Sequence, residues 1–152
     1  NADAMRALPI GVFDSGTGGL TVLEQLVTSD AFDNRTHRPG PDGRPDFEHE
    51  RFVFLADQAN MPYGQYPGLG KRQFLEELSI MDACFLMGGG NVRPPAAEAG
   101  EGNRRPAKIV VIACNTATVS AIAHLRARFD APFVGTEPAV KPAAATSACR
   151  AL

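Results

Sequence analysis

Cysteine is scarce in this 152-residue chain. It occurs only as Cys84, Cys114 and Cys149. An odd set without regular spacing excludes a disulfide framework and points to a reducing compartment, the cytoplasm. No Cys-x-x-Cys pair occurs, and His37, His49 and His124 lack the spacing of metal ligands. No metal site is therefore expected. Apolar runs long enough to cross a membrane are missing too. An excess of charge of either sign is also lacking: 15 Lys and Arg stand against 17 Asp and Glu. Bulk charge thus offers nothing to nucleic acid or to a membrane surface. The first residues, NADAM, have no apolar stretch like that of a signal peptide. Residues 1–8 read as a tag or a disordered leader outside the fold.

What is present fits one packed domain over residues 9–152. Hydrophobic residues make up 44% and charged residues 21%, enough for a core. Short apolar runs lie at residues 10–13, 52–55, 109–113 and 133–134. Continuous runs of this kind read as strands buried on both faces of a parallel sheet. Helical spacing follows them: Leu20, Leu23, Leu26 and Val27; then Phe74, Leu75, Leu78, Met81 and Phe85; then Val119, Ile122, Ala123, Leu125 and Phe129. Alanine-rich residues 139–151 read as a fourth helix. Alternating strands and helices predict an α/β fold: an open, mainly parallel sheet with right-handed crossovers and helices on both faces. Two Gly- and Pro-rich stretches, 30–50 and 87–107, run from a helix end to the next strand start. They are long for such connections. They read as mobile solvated loops, or as a partner or oligomer surface.

The four strands end in DSGTGGL, ADQANMPYG, ACNTA and GTEPA. Ligands of open α/β sheets bind beyond the carboxyl ends of the strands, so these motifs converge on one edge. Asp14 either caps the next helix or serves a ligand. Gly16, Gly18 and Gly19 let backbone come close to a ligand. The run resembles a dinucleotide fingerprint, but Thr21 stands where the last glycine belongs, and no Gly-Lys-Ser/Thr follows. Asp57 sits where a ribose-binding acid could lie. Tyr63 either covers a ligand or is a surface tyrosine in an ordinary turn. Cys114 stands at a strand end and a helix start, where backbone N–H groups favour an anion. Asn115 and Thr116 can cap that helix and donate to a ligand carboxylate. A nearby Asp14 would oppose a thiolate unless it shares a proton or meets a ligand ammonium, so it reads as a partner in proton handling.

Taken together and in order, IGVFDSGTGGLTVLEQL, PYG, VVIACNTATVSAIAHL and PFVGTEPAVKPAAATS resemble the glutamate racemases, within the aspartate/glutamate racemase superfamily. The resemblance implies one half of a two-domain α/β fold and a cofactor-independent isomerase. In such an enzyme one thiolate removes the α-proton of an amino acid and a second thiol reprotonates the opposite face. By motif, Cys114 would be one proton donor and acceptor, assisted by Asp14. Asp14, Ser15, Tyr63, Gly64, Asn115 and Thr116 would contact the substrate, a small amino acid. The family's role is supply of D-glutamate for peptidoglycan. No lysine lies in these motifs to form a Schiff base, and Lys71, Lys108 and Lys141 read as surface or helix-end charges.

The chain departs from the family pattern in lacking the later Cys-Thr-His motif. Cys149 is followed by Arg150 and Ala151, and Cys84 falls mid-helix. The sequence therefore reads as an N-terminal half, inactive alone. The expected partner is a missing C-terminal domain, which would carry the second thiol, or a second copy in a homo-dimer. Glu137 adds a carboxylate near the pocket, as a cap or as a selector against a second substrate carboxylate. Two other readings stay open: a non-catalytic binding module and a nucleotide-binding α/β domain.

Overall fold

The computed structural model describes residues 2–89 and 105–137. The element order is α1 (Ala2–Arg6), β1 (Ile10–Asp14), α2 (Gly19–Thr28), β2 (Phe52–Ala56), α3 (Arg72–Leu86), β3 (Ile109–Ile112), α4 (Asn115–Arg128) and β4 (Phe133–Gly135). The helix expected over 139–151, with Lys141 and Cys149, lies outside the described residues, as does most of the 87–107 stretch.

All strand pairs are parallel, in the order β2-β1-β3-β4. Right-handed crossovers then dictate the layers. The step from β1 to β2 goes one way along the sheet. The steps to β3 and β4 go the other way. Their connecting helices must lie on opposite faces, and they do. Ile10, Val12 and Val111 form one core with Val22, Leu23 and Leu26 of α2. Phe13, Val110 and Ile112 form the other with Leu75, Leu78 and Leu86 of α3 and Ala117, Ala121 and Leu125 of α4. Strands β1, β2 and β3 feed both cores by alternation, which is why their sequences are largely apolar, while β4 gives Phe133 to the second core and leaves Val134 exposed.

Helix α4 presents Ala117, Thr118, Ala121 and Leu125 inward. Small side chains at this spacing let its backbone lie close to β3 and β4. Helix α3 buries Leu75, Leu78, Ser79, Ala83 and Leu86. Asp82 shares that stripe with Leu75, Leu78 and Ser79, three to seven residues away.

At the end of the sheet where the strands begin, one expectation needs correction, that for Lys108, and residues 2–8 meet the rest of the chain. Their short helix is followed by a chain whose Ala7 carbonyl accepts from Arg51 Nη2 at 2.9 Å. Lys108, read as a surface charge, is largely buried. It pairs with Glu50 and donates to the Arg6 carbonyl. The 30–50 stretch is tied together by its own side chains. Asp46 accepts from Ser29 Oγ and from the Ala31 and Phe32 N–H groups, at 2.7–2.9 Å. Asp30 accepts from the N–H groups of Asp42 and Gly43. Phe47 closes the segment against Phe52, edge to face.

Candidate active site

The register of the sheet decides what meets at the other end. Phe13 lies level with Ile112 in the parallel pair of β1 and β3. Two residues further on, Ser15 and Cys114 are level as well, and on the same face. Their side chains touch: Ser15 Oγ and Cys114 Sγ are 3.4 Å apart. This point is where the chain order reverses, with β2 on one side of β1 and β3 on the other. Such a switch point opens a crevice beyond the strand ends.

Cys114 is the N-cap of α4, and its sulfur accepts from the Ala117 N–H at 3.5 Å. Only 7% of the residue is exposed. The sulfur thus meets a backbone donor at the start of a 14-residue helix. Asn115 is exposed and Thr116 half-buried just beyond it. The hydroxyl of Thr136, from the GTEPA motif, donates to the Ile112 carbonyl at 3.0 Å and lies 3.4 Å from Asn115 Oδ1. Thr118 Oγ1 accepts the Thr136 N–H. Thr136 and Thr118 were not singled out from the sequence. Their signal is position, a threonine just past β4 and another on the buried stripe of α4.

Asp14 is buried and turned toward α2. Its Oδ2 accepts from the Gly19 N–H at 2.7 Å, which fastens the first turn of that helix. Gly19 is required there: a Cβ would come within 2.6 Å of Asp14 Cβ and 3.0 Å of Ala113 Cβ. Strand alternation puts Asp14 on the α2 face and Cys114 on the α3/α4 face. Ser15, rather than Asp14, is the residue whose side chain bonds to the sulfur.

Tyr63 is 1% exposed, which excludes the surface tyrosine of an ordinary turn. It follows the cis peptide between Met61 and Pro62 and opens the short 3-10 turn Tyr63–Gln65. Its ring packs edge to face with Phe13 and Tyr66. Its hydroxyl reaches two carboxylates, Asp57 Oδ2 at 2.6 Å and Asp82 Oδ2 at 2.8 Å. Burial, two neighbouring acids and these bonds push the phenol far above its ordinary range. Tyr63 therefore anchors the turn from inside. Gly64, exposed, is the part that faces outward, beside Thr116: a Cβ on it would sit 3.8 Å from Thr116 Oγ1.

Asp57, which a nucleotide reading would assign to a ribose, is engaged by Tyr63 and by the Asn60 side-chain amide at 2.9 and 3.0 Å. Asp82 was missed from the sequence, although its place on an apolar stripe was a usable sign. Burial first, and then the Asp57 charge, push its carboxyl up to about 7 against the pull of the Tyr63 hydrogen bond. Glu137 is exposed just past β4. Among the described residues no three His, Cys, Asp or Glu side chains gather as metal ligands would. None of their helices is long and apolar enough to cross a membrane.

No protein-family model matches the chain. Curated relatives do. The glutamate racemase of Methylococcus capsulatus is 35% identical over 139 residues, 91% of this chain and 38% of that protein. That of Roseiflexus sp. is 40% identical, again over 91% of this chain and 38% of the relative. Among solved structures, glutamate racemase from Aquifex pyrophilus aligns with a TM-score of 0.59 at 30% identity, covering 92% of this chain and 41% of that one. The Escherichia coli glutamate racemase, solved with L-glutamate and the activator UDP-MurNAc-ala, aligns at 0.56 and 28%, covering 93% and 40%. Along nine-tenths of its own length this chain is homologous to the glutamate racemases, and it spans about two-fifths of theirs.

Proposed function

We propose that this chain forms one half of the site of a cofactor-independent glutamate racemase, with Cys114 as one of its two proton-transfer groups. The observation that carries the reading is the setting of Cys114: a sulfur at a strand end, capped by the Ala117 N–H and touching Ser15 Oγ, at the switch point of the sheet. An amino-acid α-proton is a very weak acid. Removing it without an electron sink demands a preorganised site shielded from water. A helix start supplies fixed dipoles at no reorganisation cost.

In the proposed reaction the Cys114 thiolate takes the α-proton, the electron pair passes into the substrate carboxylate, and a second thiol protonates the opposite face. Asn115 and Thr116 stand where the α-carboxylate would meet donors at the start of α4. Ser15 steadies the sulfur. Asp14, held on the α2 side of β1, would receive the substrate ammonium and assist proton handling through the bound substrate, Tyr63 would hold the wall of the pocket, and Gly64 would offer backbone to the substrate. The family's role in peptidoglycan supply and the cytoplasm as its place belong to the same proposal.

One thiol gives half of the cycle. The isolated chain is expected to show no conversion of L- to D-glutamate, and at most slow exchange of the α-proton with solvent deuterium. Exchange should vanish in Cys114→Ser. Inversion by the isolated chain, abolished by Cys114→Ser, would overturn the half-site reading. Glutamate should also slow alkylation of Cys114. A nucleotide that protects Cys114 where glutamate does not would favour the nucleotide-binding alternative.

A further inference from the structure

The hydroxyl of Tyr63 lies within hydrogen-bond distance of two carboxylates, yet it has one proton to give. Two ionised acids cannot both be bonded to it. One of the contacts must run the other way, from a carboxylic acid O–H to the phenol oxygen. The surroundings say which. Asp57 accepts both contacts of the Asn60 amide nitrogen, so its oxygens are committed as acceptors. Asp82 has Tyr63 as its hydrogen-bond partner among the described residues, and it lies on the buried stripe of α3.

We infer that Asp82 is held as a neutral carboxylic acid and acts as a positioning residue, donating its proton to Tyr63 Oη while Tyr63 donates to Asp57. The chain Asp82, Tyr63, Asp57 ties α3 to the end of β2. It fixes the turn Tyr63–Gln65 against the start of α4, where Gly64 adjoins Thr116. When Asp82 loses its proton, Tyr63 has two anions and one hydrogen, and the turn is released from α3.

The groups around Asp82 support this assignment. Asp57 faces it from the end of β2 and disfavours a second negative charge. From α4, His124 approaches Glu76, on an earlier turn of α3, at 3.7 Å. At the end of β1, Asp14 is bonded to the Gly19 N–H. Cys84 is on α3 itself, and Tyr66 gives its hydroxyl to the Asn60 carbonyl at 2.9 Å. No cation is among the causes that act on the Asp82 carboxyl.

The inference rests on the racemase reading only for what the turn serves. Its test uses no turnover, so either idea can fail without the other. Infrared spectra of the chain in mildly acidic solution should contain the C=O band of a buried protonated carboxyl. The band should be absent in Asp82→Asn and should fade as pH rises through about 7. Absence of the band from the unsubstituted chain, or its persistence in Asp82→Asn, overturns the assignment. Amide exchange gives a second readout at Tyr66, whose N–H bonds to the Tyr63 carbonyl. In the parent chain, protection there should fall at least tenfold across that titration. In Asp82→Asn, whose amide can donate to Tyr63 without titrating, protection should stay level. In Asp82→Ala it should be low throughout. An Asp82→Asn variant that follows the parent's pH profile would overturn the latch, whatever becomes of Asp82→Ala.

Discussion

The two ends of the sheet use carboxylates in opposite ways. Where the strands begin, Asp30, Asp33, Asp42 and Asp46 each accept backbone N–H groups of the loop between α2 and β2. Such bonds favour the charged form, and backbone donors hold Asp33 and Asp46 below their ordinary values. Where the strands end, Asp57 and Asp82 face the same phenol, and burial holds Asp82 up at about 7. One end is sewn together by carboxylates that accept backbone N–H groups. The other holds a carboxyl that burial pushes up. A loop that must only hold its shape can spend every carboxylate on its own backbone.

The contrast gives opposite pH dependence. Asp82 is protonated in the folded chain up to about pH 7, while in the unfolded chain it ionises near 3.8. Its contribution is complete below the unfolded value and is lost as pH rises from there to about 7. Asp33 and Asp46 contribute above the unfolded value of 3.8 and lose their contribution as pH falls through their lowered folded values. The largest expected effect follows from the first of these. The stability of Asp82→Asn relative to the parent should move in favour of the variant by about 3 kcal/mol between about pH 4 and about pH 8. Denaturant titrations at the two pH values measure it. A difference that does not move with pH would erase the contrast between the two ends.

Gly19→Ala comes next. It strikes the end of β1 through packing and not through charge. The added Cβ would crowd Asp14 and Ala113, backbone-anchored neighbours that cannot swing aside. A loss of about 2 kcal/mol is expected, independent of pH, with α2 displaced from Asp14. The same titrations read it. A loss that appears only at high pH would mean that Asp14 responds to protonation as Asp82 does.

What the sequence revealed and what it hid divide along the same line. Strands β1, β2 and β3 were legible because side chains pack on both of their faces, and β4 from the short apolar pair Phe133 and Val134. Their ends came out within two residues of the observed ones. The meeting of Cys114 with Ser15 follows from parallel register, while the bond of Asp14 to the Gly19 N–H depends on how α2 packs and has no signal in the sequence. Tyr63 was placed past the end of β2 with its exposure left open between a ligand cover and a surface turn. Burial of a turn residue depends on Phe13, Tyr66 and α3, which are far apart in the chain. The loop of residues 30–50 has no periodicity, because side chain-to-backbone bonds follow the path of the chain and leave no repeating signature. Helix α1 is a single turn, too short for pattern to reveal.

Asp46→Asn tests the loop end directly. Its carboxylate accepts three bonds, from Ser29, Ala31 and Phe32. An amide can accept at only one of its two heavy atoms. Exchange at the Ala31 and Phe32 amides should rise sharply near neutral pH, while the Tyr66 amide keeps its protection. If Tyr66 loses protection too, the two ends are coupled and cannot be treated as separate regions.

The smallest effect should come from Arg44→Ala. Arg44 grips Glu48 in a two-point pair, with Nη2 at 2.7 Å and Nε at 3.1 Å from its oxygens, one helical turn's distance along the chain. The geometry is good, but the Arg44 side chain is 59% exposed, so water and salt screen the attraction. A pair of this kind contributes about 0.5 kcal/mol or less. The loop instead gets its shape from carboxylates bonded to backbone N–H groups, and these remain in Arg44→Ala. Protection at Ala31 and Phe32 should therefore survive the substitution and survive added salt. Loss of that protection in Arg44→Ala would reverse the ranking and make the ion pair, not the backbone bonds, the element that shapes the loop.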